Sequence, residues 1–289
     1  MKTLNVIGAG RVGTTLAALW QRNGVFSVQD VLDGTPAGAR EAVATVGEGT
    51  AAESLAAMRP ANVWMITTPD RAVRQVSAEV AAAGALRRGD VVFHCSGSMS
   101  SAALDAAGAC GAHIASVHPL KSFADPDRAA RTFAGTFCAA EGDADALALL
   151  GGAFEKVGGR MAAIDARYKT VYHAASVMVS NYLAALIETA VRCYDKAALP
   201  RATAMTMIEP IVRDTVQNIF QLGTAGALTG PISRGDAAVV AQHLEALAAW
   251  DPRVTAVYRS LGLAALDLAR EQDEASEEAL ARIEALLNR

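Results

Sequence analysis

The sequence predicts an α/β protein in which a doubly wound parallel sheet is followed by an all-helical second domain. Three observations carry this reading. The chain opens with an apolar run, Leu4–Ile7, a glycine-rich turn and a helix-like stretch, Thr14–Arg22. Strand-like and helix-like segments then alternate to about residue 165. Beyond that point the strand signals stop and only helical segments remain, so the expected domains are 1–165 and 166–289.

The strands expected in the first half are Leu4–Ile7, Val28–Leu32, Val63–Thr67, Val91–His94 and Ile114–Val117. Ala-rich segments of helical length lie between them: Thr14–Arg22, Ala37–Val46, Arg71–Ala83 and Ser100–Gly108. Such alternation places helices on both faces of a parallel sheet. Gly135–Ala140 and Arg160–Ile164, flanking the helical stretch Ala144–Val157, extend the same sheet. Tyr168–Asp195 reads as one long helix, followed by Arg201–Leu222, Asp236–Trp250, Pro252–Arg270 and Asp273–Leu287. Pro200 and Pro252 fall at helix starts, where a missing N–H costs little. Asp236 and Asp251 read as N-caps. Leu280, Ile283, Leu286 and Leu287 give the last helix one apolar face.

Composition excludes several function classes. A net charge of −4 and the lack of any Lys/Arg block argue against a nucleic-acid surface. No apolar run reaches the ~18–20 residues of a membrane span, and an N-terminus that is already a strand is not a signal peptide. Cys95, Cys110, Cys138 and Cys193 lack metal-like spacing and read as free thiols of a reducing cytoplasm, so no metal site is expected. With 52% hydrophobic residues, Ala and Leu dominant, a large core is available. The long apolar helical faces predict a homodimer formed through the helical domain.

The turn Gly8-Ala9-Gly10-Arg11-Val12-Gly13 stands where a Rossmann dinucleotide fingerprint requires it, between a strand and a helix. Gly8 allows a tight turn, Gly10 leaves no Cβ between backbone and diphosphate, and Gly13 lets helix and strand approach. Arg11 and Val12 supply amides at the helix start, where the dipole favours an anion. Asp33, 20 residues beyond Gly13, has two readings. It holds the adenosine ribose and favours NAD, or it is the turn aspartate of Asp33-Gly34. Arg11 and Arg40 can still accept the extra phosphate of NADP.

The remaining candidates follow strand ends, because open parallel sheets bind ligands there. Thr68-Pro69-Asp70 lies on the path of the cofactor's middle, with Asp70 as a helix cap. His94-Cys95-Ser96-Gly97-Ser98 and His118-Pro119-Leu120-Lys121-Ser122-Phe123 each bring a histidine to one edge, with Ser96 near the nicotinamide ribose. In the long helix, Lys169, His173, Ser176 and Ser180 follow at spacings of 4, 3 and 4 and form one polar stripe, with Asn181 at its margin. A polar stripe on a buried helix needs partners, either an inter-helix seam or a bound substrate. Thr229–Asp236 breaks the helical half, and Ser233 and Arg234 there either grip an anion or form a connector.

Taken together, Val6–Gly13, Thr68–Asp70, His94–Gly97, His118–Phe123, Tyr172–Asn181 and Thr229–Asp236 resemble the Rossmann-like proteins that carry a DUF2520 C-terminal domain. The resemblance implies an NADP-dependent oxidoreductase akin to pyrroline-5-carboxylate reductase, ketopantoate reductase and the 3-hydroxyacid dehydrogenases. In those enzymes a helical second domain binds substrate and usually dimerises. The dehydrogenases carry a lysine and an asparagine early in the long helix, which implies catalytic roles for Lys169 and Asn181, although their spacing of 12 differs from that pattern. The Ser-Arg common in the family after the second strand is Asp33-Gly34 here.

The expected function is therefore a cytoplasmic NAD(P)-dependent oxidoreductase acting on a small carbonyl or imine at a cleft between the two domains. Proton supply falls to His118, Lys169 or His173. The rival reading is a non-catalytic dinucleotide sensor whose helical half binds a protein.

Overall fold

In the computed structural model, which describes residues Met1–Arg289, the apolar runs of the first half pair into one eight-stranded sheet. In chain order the elements are β1 (Lys2–Ile7), α1 (Arg11–Arg22), β2 (Phe26–Leu32), α2 (Pro36–Val46), β3 (Thr50–Ala51), β4 (Val63–Ile66), α3 (Asp70–Ala82) and β5 (Val91–His94). Then come α4 (Asp105–Ala109), β6 (His113–Pro119), α5 (Pro126–Arg131), β7 (Phe137–Gly142), α6 (Ala144–Glu155) and β8 (Arg160–Ala163). The strand order is β3-β2-β1-β4-β5-β6-β7-β8. Every pair is parallel except β6–β7, which is antiparallel and sets Ser116 opposite Glu141.

The sheet order follows from burial. β4 and β5 are buried at every position, as continuous apolar strands covered on both faces must be. One face holds Trp20, whose ring meets Phe26, Phe93 and Phe154 edge-on and whose Nε1 donates to the Ala153 carbonyl at 3.0 Å. The other face packs Trp64, Ile66, Val73, Val80 and Leu104. The chain runs from β1 outward to β2 and β3, then returns to β4 on the far side of β1. The carboxyl ends of β1 and β4 therefore flank the crevice where such sheets bind ligands.

Three local differences from the sequence reading have physical causes. β3 is two residues long, too short to leave a pattern. The segment expected as a helix over Ser100–Gly108 is a 3₁₀ turn, Ser101–Leu104, followed by the five-residue α4. The expected last helix starts later, because Asp273 adopts a left-handed conformation (φ 57°) and Ser276 supplies the cap to Ala279.

The long helix is interrupted. After α7 (Lys169–Val177) a π-helical turn, Met178–Tyr182, precedes α8 (Leu183–Lys196). Around it the Ser176 hydroxyl donates to the Tyr172 carbonyl and the Ser180 hydroxyl to the Ser176 carbonyl, so both bond to their own helix. α9 (Arg201–Ala227) kinks at Gly223, whose φ is 79°. α10 (Ala237–Ala248) and α11 (Pro252–Gln272) are capped by Asp236 and Asp251, and α12 (Glu277–Leu287) follows.

By compactness the chain divides into Met1–Ser180 and Asn181–Arg289. The first unit includes α7, which the buried Lys169 ties to the sheet. The second has a core of Val240, Leu244, Leu266, Ala269, Leu280, Ile283 and Leu287. The expectation of an otherwise buried long helix is corrected: of α7 and α8 only Lys169 and Val191 are buried. The helical run Ala166–Lys196 also contains an 18-residue window of mean hydropathy 1.4, long and apolar enough by length and composition to cross a membrane, contrary to the sequence reading.

Candidate active site

The glycine turn is shaped by its surroundings. Gly8 has a φ of 89°, and a Cβ there would lie 2.6 Å from the Thr68 amide nitrogen. At Gly13 a Cβ would lie 2.5 Å from the Gly8 carbonyl oxygen and closer still to Thr67 Oγ1, so helix and strand meet without a side chain between them. At Gly10 a Cβ would meet nothing within 4 Å. Gly10 is also the N-cap of α1, and no side chain caps that helix. Bare amides therefore stand at open space, with Arg11 exposed and the Val12 side chain packed on the core.

A groove of about 1100 Å³ opens there, lined by Gly8, Gly10, Asp33, Thr68 and Pro69 among others. Its ionisable lining is Asp33, Glu53 and Glu79, with no Lys, Arg or His. Asp33 Oδ1 accepts from the Ala9 amide at 2.9 Å and Oδ2 from the Thr35 amide at 3.4 Å. The carboxylate thus braces the turn as well as lining the groove. Thr68 Oγ1 is buried and has no hydrogen-bond partner. A site with bare amides, an uncapped helix start and an orphaned hydroxyl fits a dinucleotide diphosphate.

Further along the edge, Asp70 is not the cap of α3; Pro69 holds that position. Asp70 Oδ2 instead accepts from the Ser96 and Ser98 hydroxyls, each at 2.8 Å. Ser96 Oγ accepts in turn from the Ser98 and Met99 amides, which fixes the loop after β5. His94 does not reach over this loop, contrary to expectation. It is fully buried, its Nε2 bonds the Ser100 carbonyl at 3.0 Å, and its Nδ1 accepts from the Ser96 amide at 3.1 Å. Burial pulls its pKa down to about 4, so it is a neutral structural group.

His118, at the end of β6, does reach the loop. Its Nδ1 pairs with the Tyr172 hydroxyl at 2.9 Å, and its ring stands edge-to-face with Tyr172 and His173 at centroid distances of 5.7 and 5.9 Å. Both imidazoles lie on Gly97. A Cβ at that residue would be 3.0 Å from His118 Nε2 and Cε1, and closer still to His173 Cδ2. Burial, reinforced by His173 and Lys169, pulls the His118 pKa down to about 4, while burial raises that of Tyr172.

Lys169 is placed differently from the expected proton donor. It is 1% exposed, and its ammonium donates to Ser116 Oγ and to Glu141 Oε1 at 3.2 Å. Glu141 also accepts from the Ser101 amide at 2.8 Å and hydroxyl at 2.7 Å. Burial lowers the Lys169 pKa, against the pull of Glu141. Asn181 is exposed on the π-helical turn and falls in the second unit. Ser233 is buried, with its hydroxyl 3.5 Å from Glu274 Oε2; a carboxylate at that place opposes the anion grip considered for Ser233 and Arg234. No group of three or more His, Cys, Asp or Glu is arranged to hold a metal ion.

The sequence reading overlooked Tyr172, Glu141, Ser116 and Gly97 as site residues. Glu141 and Ser116 are 25 residues apart and meet only through the antiparallel pairing of β6 and β7. Tyr172 had a local signal: it precedes His173 by one residue and so flanks the polar stripe.

A glycine turn at the crossover of a mainly parallel sheet, followed by a helical half, defines a two-part Rossmann-like protein. Residues 2–119 match the Rossmann-like domain, and residues 136–265 match the domain of unknown function DUF2520. The chain thus carries a Rossmann-like domain followed by a DUF2520 domain, and the two together cover most of its length. Protein TM1727 from Thermotoga maritima has the same fold, with 24% identity, TM-score 0.73, and coverage of 93% of this chain and 99% of that one. So does BF3122 from Bacteroides fragilis, provisionally named an NADP oxidoreductase (23%, 0.73, 91% and 97%). An imine reductase from Myxococcus stipitatus in complex with NADP⁺ is similar at 20% identity, TM-score 0.61, and coverage of 97% and 99%. No match is found among curated proteins.

Proposed function

We propose that the protein is an NAD(P)-dependent oxidoreductase acting on a small carbonyl or imine compound. The observation that carries this is the groove beside Gly10, where the uncapped amides at the start of α1 meet the space a diphosphate needs and Thr68, whose buried hydroxyl has no partner, lines the wall. The oxidoreductase and imine reductase folds similar to this chain support it. When bound, the dinucleotide supplies hydride chemistry. Gly8, Gly10 and Gly13, with the Arg11 and Val12 amides, hold its diphosphate. Thr68 and Pro69 line its middle, and Ser96 meets the nicotinamide ribose. Asp33 meets the adenosine ribose. A lining of three carboxylates without a cation disfavours a 2′-phosphate, so NADH is preferred over NADPH although the relative above binds NADP⁺.

On the substrate side, His118 and His173 touch the reacting molecule. Lys169, enclosed by Ser116 and Glu141, positions β6 and α7 rather than touching substrate. A homodimer through the helical unit is supported by its exposed apolar side chains, of which Phe220 is 85% exposed, and by an apolar pocket of about 470 Å³ lined by Leu186, Tyr194, Val257 and Leu261 among others.

Calorimetric titration with NADH and NADPH tests the reading. Binding of NADH at least about 10-fold tighter than NADPH is expected, a difference of about 1.4 kcal/mol. Uptake of neither by the folded protein overturns the proposal.

A further inference from the structure

We propose that His118 and Tyr172 form a proton relay for a carbonyl substrate, with an uncharged His118 Nε2–H presented over Gly97 and the Tyr172 hydroxyl standing behind Nδ1. The inference rests on the oxidoreductase reading above and names the substrate class of that site.

The geometry supplies three supports. Gly97 does not have a positive φ, so glycine is there for space: the two imidazoles occupy the volume a Cβ would take. Nδ1 of His118 is engaged by Tyr172 at 2.9 Å, whereas its Nε2 makes no hydrogen bond within the protein. The titratable and charged groups facing His118 are Tyr172, His173, Lys169 and Asp70. Of these only Asp70 favours a charged imidazole, and burial outweighs it, so the ring is neutral at pH 7.

A neutral imidazole sorts substrates by chemistry. Reduction of an imine to an amine needs a nitrogen protonated before or as hydride arrives, a task for an imidazolium or a stronger acid. Reduction of an aldehyde or ketone does not. As hydride from the reduced nicotinamide of the proposed reaction bonds to the carbonyl carbon, the C=O π pair moves to oxygen. That oxygen takes the Nε2 proton, Nδ1 takes the Tyr172 hydroxyl proton, and the Tyr172 phenolate takes a proton from water. An alkoxide is a stronger base than a phenolate, so the transfer runs downhill even with the Tyr172 pKa raised. The product is an alcohol, and the reverse sequence oxidises one.

The test uses full-length protein labelled with ¹⁵N-histidine. Its five histidines give separable ring signals, and that of His118 is assigned by its loss in His118→Gln. The expected result is a single Nε2–H tautomer of His118 between about pH 5.5 and 8. In Tyr172→Phe the tautomers should mix, and turnover of a panel of small aldehydes and keto acids with NADH should fall about 10- to 100-fold in kcat with KM little changed. Wild-type protein should prefer that panel to cyclic imines. A His118 that titrates near neutrality or carries its proton on Nδ1 overturns the relay, as does faster turnover of imines than carbonyls. Failure of the functional reading is distinguishable, because it shows as absent dinucleotide binding whatever tautomer His118 adopts.

Discussion

One methyl group added at Gly13 and one at Gly10 should have opposite consequences. The two residues lie three apart at the start of α1, yet their surroundings differ. At Gly13 the new Cβ would sit 2.5 Å from the Gly8 carbonyl oxygen and closer to Thr67 Oγ1, where ordinary contact begins near 3.4 Å. Relief requires α1 to move outward by about 1 Å or the 2.6 Å hydrogen bond from Thr67 Oγ1 to the Gly8 carbonyl to open. Overpacking costs about 1–3 kcal/mol and the hydrogen bond about 1 kcal/mol. The better helix propensity of alanine returns about 1 kcal/mol, leaving a net loss of about 1–3 kcal/mol. In a chain of this size that is a Tm lowered by roughly 2–5 °C. At Gly10 the Cβ meets nothing within 4 Å and φ is −72°, so Gly10→Ala should leave Tm within about 2 °C of wild type. The same methyl group stands where the diphosphate is proposed to rest, so NADH affinity should fall at least about 10-fold. Calorimetry of unfolding and of NADH binding on both variants reads both quantities. A Gly13→Ala protein of unchanged Tm, or a Gly10→Ala protein of unchanged affinity, refutes the reasoning.

Four further outcomes are expected. Lys169→Met removes one partner of a buried ion pair and leaves Glu141 charged, with its Ser101 bonds but no cation; urea denaturation should show a loss of about 3–5 kcal/mol, partly restored by adding Glu141→Gln. His94 and His118 each bind a proton less readily when folded (pKa about 4) than when unfolded (6.5). The unfolded state therefore binds more protons in that window, and stability should decline as pH falls from about 6.5 to about 4, by on the order of 3 kcal/mol for the fully buried His94; a flat denaturation midpoint across that range contradicts this. Gly97→Ala should displace His173 and His118 and lower turnover about 100-fold while leaving NADH affinity near wild type, as measured by steady-state kinetics beside calorimetry. Phe220→Glu should convert the proposed dimer to monomer in sedimentation velocity, and wild-type protein that sediments as a monomer removes the basis for the dimer.

Features within one stretch of chain were legible in the sequence. The order strand, glycine turn, helix is local, and so are the helix caps of Asp236 and Asp251, because each requires only residues a few positions apart. The apolar runs of β4 and β5 announced burial on both faces for the same reason. Equivalence of the two strand-end histidines was not legible. His94 turns inward onto Ser96 and Ser100 while His118 turns onto Tyr172, and that choice depends on what stands above each strand end.

The sequence by itself determined the Rossmann-like opening, the switch to helices and the placement of polar groups at strand ends, since periodicity and turn chemistry are short-range properties. Only the tertiary structure decided what those groups do. Antiparallel pairing of β6 with β7 brings Glu141 opposite Ser116, and the pair captures Lys169. Burial then sets which groups keep their charge: desolvation disfavours an unpaired cation on His118 and leaves Lys169 dependent on Glu141, a distinction between two basic residues that only a folded environment can make.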